Sequence, residues 1–474
     1  MSQEISLVPG RFVVIHPGHI RLLRYAKSIS EKVVVALNSA GVTEEEISWR
    51  IGALQGIPFV DQVIAYEENL GDIIGQLRPR FVLRGTEFQN LAFPELELLR
   101  SYGGELIFSS GSYFYSSEDE ISSNNHSGVL NKKSIPSYLE RNRVSPEQLL
   151  AFSDTFSGKR ILVIGDSIVD EIVMCHPLGM SQEEPALVVT PIEKKKFIGG
   201  AAIVASHCAN LGAKTYFISV RGNDPSGEWL DSQLKKAGVN TNFFIDEHRK
   251  TTLKKRFRSG KHTLFRLTEL TNKSLESNLK SEIVNQVRKQ ITEVDAIIFS
   301  DFSYGLLDGD FAKEIIEIAR NNGVVTAADS QTSSQIGDLS KFYGVTLVTP
   351  TEKEARQELK DENSGLVQIS EKLRKKLNCQ YLLLKLGPDG ILLHGINSDG
   401  SILRTDRMEA LNNAPVDVSG AGDSLLACAT LSMTVSDNLY VAGILGSIAS
   451  AIQVSRVGNI PLSIKELKNE IANL

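Results

Sequence analysis

Short apolar runs of β type alternate with helical patterns along this chain, and no other feature limits its fold as much. From the start to about residue 110 the sequence reads RFVVI, a helix through HIRLLRYAKSIS, then KVVVALNS, a helix near WRIGALQG, VDQVIAY, a helix GDIIGQLR, and FVLRG. Strand and helix in strict turn predict parallel strands joined by crossover helices. Between Ser109 and Ser157 the texture shifts to Ser, Asn and charge, ahead of an amphipathic stretch SPEQLLAFSDTF, and a domain boundary is expected there. A new strand, RILVIGDSIVDEIV, opens a second α/β region with apolar strands DAIIFSD, VVTAADS, GVTLVTP and YLLLKLG. Runs from Leu187 to Arg266, among them ALVVTPI, TYFISV and TLKKRFRSGKHTLFRL, predict a small β lid on the larger sheet. No repeat of twenty to fifty residues is visible, which argues against solenoids and propellers.

Composition narrows the partners. With 474 residues, 42% hydrophobic and 23% charged, the chain can bury a large core and is not disordered. Its 51 Lys and Arg against 57 Asp and Glu leave a formal charge of -6, so nucleic acid is not the expected partner. Cys175, Cys208, Cys379 and Cys428 lie far apart, with neither a disulfide framework nor a zinc knuckle, and fit reduced thiols. No export signal opens the chain and no apolar stretch reaches bilayer length, so a cytoplasmic protein without a membrane partner is expected.

The segment APVDVSGAGDSLLACATLSM reads as an extended run, a small-residue turn and a helix starting around Asp423. Gly420, Ala421 and Gly422 let backbone N–H groups converge at the helix start, where the dipole also favours negative charge. Asp423 beside such an anion site could accept the proton of an attacking hydroxyl, and phosphoryl transfer needs little beyond positioning, charge neutralisation and that base. Taken alone, the same residues equally suit a helix capped by Asp423 with glycines in a tight turn.

Near the N-terminus, GRFVVIHPGHIRLL sets His16 and His19 where a strand gives way to a helix. With Gly18 admitting a phosphate closely, the pair can donate hydrogen bonds to charge building on an α-phosphate, as nucleotidyl transfer requires. Zinc fits less well, for want of a third ligand at metal spacing. One histidine capping the helix while the other packs is the structural alternative.

Seven ordered segments, GDSIVD (165–170), IGGAA (198–202), GNDPSG (222–227), DFSYG (301–305), TPTEKEA (349–355), KLGPDG (385–390) and DVSGAGD (417–423), resemble the sugar kinases of the ribokinase (PfkB) family. The resemblance covers Lys159 to Leu474 and implies a ribokinase-like layered domain with Asp423 as catalytic base and Gly420, Ala421 and Gly422 as anion hole. It also implies that Thr351 and Gly387 lie on the nucleotide side, that Asp166, Gly199 and Gly200 face the sugar, and that Glu354 acts on Mg²⁺ indirectly. Mg²⁺ and ATP follow as cofactor and co-substrate, with room for a monovalent cation, and a homodimer through the lid is implied. Lys254, Arg256 and Arg266 match the region that heptose-phosphate kinases of the family use around a sugar phosphate; individually each also fits a solvated lid face. The chain departs from the family at Ile203, Thr351 and Tyr304, where relatives carry Asn, Asn and Lys. No G-x-x-x-x-G-K-[ST] occurs, so a P-loop kinase is not expected.

Residues from about Leu7 to Ser117 resemble the HxGH nucleotidyltransferases, in particular the cytidylyltransferase-like domain paired with heptose-phosphate kinases. By that resemblance Arg84 and Gly85 in RGTEF, with Ser116 and Ser117 in YSSED, join His16, Gly18 and His19 around the nucleotide, while Val13 stands where relatives have Asp. The fold class expected is therefore α/β: a Rossmann-like nucleotidyltransferase domain at 1–130, a linker at 131–157, and a kinase domain with a small β lid at 158–474. Together they imply an enzyme of nucleotide-activated heptose synthesis, whose kinase acts on the anomeric hydroxyl of heptose 7-phosphate and whose transferase takes the sugar 1-phosphate. Two rivals stay open: a kinase with a degenerate regulatory front domain, and a non-catalytic sugar-phosphate sensor.

Overall fold

The computed structural model describes residues 4–474 apart from 14, 16, 68, 86–92, 110–129, 131, 133, 185, 261, 332–336 and 398–399. The chain divides into two compact units, Met1–Ser127 and Gly128–Leu474.

The first unit runs β1 (Ile5–Gly10), α1 (Pro17–Ile29), β2 (Lys32–Asn38), α2 (Glu44–Gln55), β3 (Gln62–Tyr66), α3 (Leu70–Leu77), β4 (Phe81–Gly85), α4 (Leu96–Ser101) and β5 (Glu105–Ser109). Its sheet is wholly parallel in the order β3-β2-β1-β4-β5, a Rossmann-like arrangement. Successive strand residues point to opposite faces, and both faces are apolar. Val33, Val35 and Leu37 bury against Leu22, Leu23 and Leu54 of α1 and α2. Val34 and Ala36 pack with Ile73 and Ile74 of α3 on the other side.

The first strand lies earlier than RFVVI. Ile5–Gly10 forms it, in register Leu7↔Val34, because Leu7 and Val8 supply one buried residue to each face. Arg11 and Phe12 instead belong to the loop that follows, where Phe12 turns into the core at φ 44 with 4% of its surface exposed.

The second unit opens with α5 (Ile135–Asn142) and α6 (Pro146–Asp154), in the stretch expected to be a linker. Both are part of that unit's core, for their apolar faces need cover: Tyr138 is fully buried and its hydroxyl donates to the Tyr440 carbonyl at 2.8 Å. Ser145 and Gln148 form a reciprocal cap at the start of α6.

The chain continues through β6 (Arg160–Gly165), β7 (Ser167–Met180), β8 (Leu187–Gly200), α7 (Ala201–Asn210), β9 (Lys214–Arg221), α8 (Pro225–Lys236) and β10 (Asn240–Ile245). Next come β11 (Thr252–Ser259), β12 (His262–Glu269), α9 (Ser277–Gln290), β13 (Ala296–Asp301), α10 (Gly309–Asn321), β14 (Val325–Ser330) and β15 (Leu347–Val348). It ends with α11 (Glu352–Leu359), α12 (Leu366–Leu377), β16 (Tyr381–Lys385), β17 (Ile391–Gly395), β18 (Asp406–Met408), α13 (Ala421–Val435), α14 (Leu439–Val454) and α15 (Ile464–Ala472). A nine-stranded sheet, β10-β9-β6-β13-β14-β15-β16-β17-β18, is parallel up to β16 and antiparallel beyond, with an apolar cluster on each face.

The lid is a separate four-stranded sheet, β12-β11-β7-β8. Its membership differs from the expectation. TYFISV is β9 and pairs with β6 in the main sheet, where Phe217 and Ile218 bury one to each face. RILVIGDSIVDEIV breaks at Asp166, so that its second half becomes the lid strand β7. No described helix is long and apolar enough to cross a membrane.

Candidate active site

In a parallel sheet with helices on both faces, ligands bind beyond the carboxyl ends of the strands. Those ends here carry Asp301 on β13, Asp329 on β14 and Lys385 on β16. Facing them is α13, whose almost entirely buried length holds its start in place; Gly420, at φ 79, precedes it and Ala421 and Gly422 form its first turn. Asp423 follows with 6% of its surface exposed, and its Oδ1 accepts a hydrogen bond from Gln331 Nε2 at 3.0 Å. Burial pushes its carboxyl up to about 7, the Asp329 carboxylate adds to that, and Lys385 opposes it.

Asp329 accepts both of its strongest contacts from one cation: Lys385 Nζ lies 2.8 Å from Oδ1 and 2.9 Å from Oδ2. Burial raises the Asp329 carboxyl, Lys385 counters, and Glu354 raises it again, so both neighbours act on Asp329. Glu354 and Thr351 cap α11 reciprocally, with Thr351 N donating to Oε2 at 2.8 Å. Gly387 sits exposed in the turn after β16.

The lid supplies the opposite wall. Asp170 on β7 is buried; Asn459 Nδ2 donates to its Oδ2 at 3.3 Å, while its Oδ1 has no hydrogen-bond partner among the described residues and lies 3.6 Å from Arg256 Nη2. Burial raises its carboxyl; Arg256 and Lys254 pull it back. Gly199 and Gly200 are required beside it. A side-chain carbon at Gly199 would come within 2.4 Å of Asp170 Oδ2, and Gly200 adopts φ 60 with 2.5 Å between such a carbon and the Asp166 carbonyl. Lys254 sets its ammonium over the rings of Phe302 and Tyr304, at 4.8 and 5.2 Å.

Strand register puts Lys254, Arg256 and Arg258 on the same face as Asp170 and Lys195. Arg266, exposed on β12, stands directly opposite Arg256.

Asp166 has other contacts than the sugar side suggested by the sequence. Its Oδ2 accepts from the amides of Phe302 (2.8 Å) and Tyr304 (3.4 Å), which fixes the loop beneath Lys254. Burial and then the Asp301 carboxylate push it up to about 6. Asp301 is itself buried against Lys341 Nζ at 2.6 Å.

Sequence reasoning thus missed Asp170, Asp329, Lys385 and Gln331. An acid or a lysine closing an apolar parallel strand, as in VVTAADS and YLLLK, was the available signal. Asp170 was harder to single out, since nothing local separates it from Asp166.

In the first unit the chain order reverses between β1 and β4, the point where such sheets bind ligands. α1 follows β1 with Gly18 and His19 in its first turn, and Arg84 and Gly85 close β4. The His19 ring lies 4.6 Å from that of Phe12 at 45°, and the Arg84 guanidinium stands 5.4 Å above the Phe93 ring. His16, Ser116 and Ser117 lie outside the described residues. Among those described, no three His, Cys, Asp or Glu side chains gather as metal ligands.

The model of the pfkB family carbohydrate kinases matches residues 159–466. The bifunctional protein HldE of Campylobacter jejuni (strain RM1221) is 31% identical over 313 residues, covering 65% of this chain and 64% of that protein. Its namesake in Desulfatibacillum aliphaticivorans is 30% identical over 321 residues, covering 67% and 64%. The chain therefore aligns with 64% of the length of these relatives. Among solved structures, ribokinase from Thermotoga maritima superposes with a TM-score of 0.53 at 21% identity, over 66% of this chain and all of that one. Phosphofructokinase-2 from Escherichia coli gives 0.52 at 18% identity, over 67% and 99%.

Proposed function

This chain belongs to the pfkB family of carbohydrate kinases, and from that premise we propose that its second unit transfers the γ-phosphoryl group of Mg–ATP to a hydroxyl of a phosphorylated sugar. The acceptor is a heptose 7-phosphate and the hydroxyl its anomeric one, in line with the relatives named bifunctional HldE.

The carrying observation is the buried carboxylate of Asp423, set in the first helical turn beside Gly420–Gly422. Amides at that turn and the helix dipole favour the phosphoryl oxygens, and the carboxylate takes the hydroxyl proton as the oxygen attacks. Asp170, with an oxygen that accepts no hydrogen bond from the described residues, holds sugar hydroxyls. Mg²⁺ arrives with the nucleotide as substrate. Asp329 and Glu354 fit it as carboxylates close enough that Glu354 raises the Asp329 carboxyl, suited to ordering its water.

The phosphate on the sugar is supported by the lid. Like charges directly opposite in an antiparallel pair are destabilising, yet Arg256 faces Arg266, with Lys254 and Lys195 on the same side. A phosphate dianion held by paired N–H donors offsets that repulsion.

The first unit acts, in this reading, as a nucleotidyltransferase for the sugar 1-phosphate, with His16 and His19 at the α-phosphate and Arg84, Gly85, Ser116 and Ser117 around the nucleotide. Val13 in place of the Asp of relatives favours a second reading, a nucleotide-binding regulatory module. A homodimer is supported by the exposed Leu178, Met180, Leu187 and Ile192 on the lid strands. The location proposed is the cytoplasm.

ATP supplied with a panel of phosphorylated and free sugars tests the proposal. ADP should appear with a heptose 7-phosphate, the free sugar should react far more slowly, and Asp423→Asn should abolish turnover while ligands still bind. Turnover surviving in Asp423→Asn would sink the base assignment.

A further inference from the structure

Lys385 stands inside the carboxylate cluster of the site, beside Asp329. Lys385 closes β16, and its amide donates to the Pro350 carbonyl at 2.8 Å while it bridges to Thr351. Its stem is therefore anchored beside the turn that carries Glu354. Only 13% of its side chain is exposed, and its Nζ grips both oxygens of Asp329. A side-chain carbon at Gly422 would lie 3.1 Å from that Nζ, so the ammonium rests against the last residue of the glycine turn, immediately before Asp423.

We propose that Lys385 is a catalytic cation whose ammonium contacts the transferring phosphoryl group of the bound nucleoside triphosphate, from its seat between Asp329 and Gly422. The assignment rests on the kinase reading above. A lysine serving only to neutralise Asp329 would have no need to lie against the turn where the triphosphate ends. During transfer the bond from the γ-phosphorus to the β,γ-bridging oxygen breaks and that oxygen leaves on the diphosphate. The sugar oxygen bonds to phosphorus and its proton passes to Asp423. Lys385 keeps its protons throughout and offsets charge on the equatorial oxygens. A flexible stem and compact charge suit it to lean from Asp329 toward the phosphoryl group without unseating the strand.

The test uses the full chain. Lys385→Gln keeps a hydrogen-bond donor for Asp329 and removes the charge; kcat should fall by about 10²- to 10³-fold, the usual cost of one transition-state donor. The KM for the sugar phosphate and the affinity for ADP, which lacks the γ-phosphoryl group, should stay within about threefold of wild type. Lys385→Arg keeps the charge and should recover at least about tenfold of the lost kcat. The proposal is overturned if Gln leaves kcat within about threefold, if Gln and Arg lose it equally, or if ADP affinity falls in step with kcat. Wild-type protein that makes no ADP with any phosphorylated sugar overturns the kinase reading itself, and Lys385's role with it.

Discussion

At the scale of single residues, the site is governed by burial of charge. Asp423 titrates near 7 because water is excluded and Asp329 stands by, while Lys385 and Lys254 limit the rise and Asp170 adds to it. A base must be ionised to work, so kcat/KM should climb with pH up to about 7 and then level. A pH–rate profile flat between 5 and 9 (roughly two units either side) would exclude Asp423 as the base. The folded-state value lies above the unfolded one, so this group's contribution to stability is complete below the ordinary carboxylate range and is lost as pH rises through about 7. Asp423→Asn should therefore raise the ligand-free melting temperature above wild type in alkaline buffer while abolishing turnover. The two effects have one cause, an ionised carboxylate held out of water for its chemistry. At the front site, pyrophosphate release from ATP or CTP with a sugar 1-phosphate should vanish in His19→Ala; no release from wild type with either nucleotide would favour the regulatory module.

At the scale of elements, the lid and the start of α13 are set by close backbone approach. Gly200 adopts φ 60 where β8 hands over to α7, with no room for a methyl group against Asp166. Gly200→Ala should cost about 1–3 kcal/mol from backbone strain, read by urea denaturation of the full chain. An unchanged midpoint would show that the turn can shift. IGGAA was legible as a place of close approach, since paired glycines have few other uses before a helix. The side of β7 that mattered was not legible. Asp166 and Asp170 are four apart in GDSIVD, and only the break after β6 separates a residue tied to the 302–304 amides from one facing the glycine pair. Arg256 and Arg266 were recognisable as a charged hairpin, but their opposition depends on a register that local pattern does not specify.

At the scale of the whole molecule, the second unit begins before its first sheet strand. Tyr138, Leu139 and Leu149 of α5 and α6 lie within its core. A chain beginning at Gly128 should keep kinase turnover and a cooperative transition, whereas one beginning at Lys159 should melt lower or fail to fold. Equal melting temperatures would mean the two helices are dispensable; Tyr138→Phe, losing one buried hydrogen bond, should cost about 1 kcal/mol by itself. Alternation of apolar strands with helices, read from sequence alone, determined two α/β units, because the side-chain periods of strand and helix are local properties of the backbone. The glycine turn before Asp423 was determined in the same way. Which strand ends meet was decided by tertiary structure: Asp329 and Lys385 are 56 residues apart and become a pair only because β15 lies between β14 and β16 in the sheet. Likewise the buried carboxylates that raise Asp423 come from β14 and the lid, with Lys385 of β16 opposing them, and burial of charge is a property of the assembled site rather than of any segment.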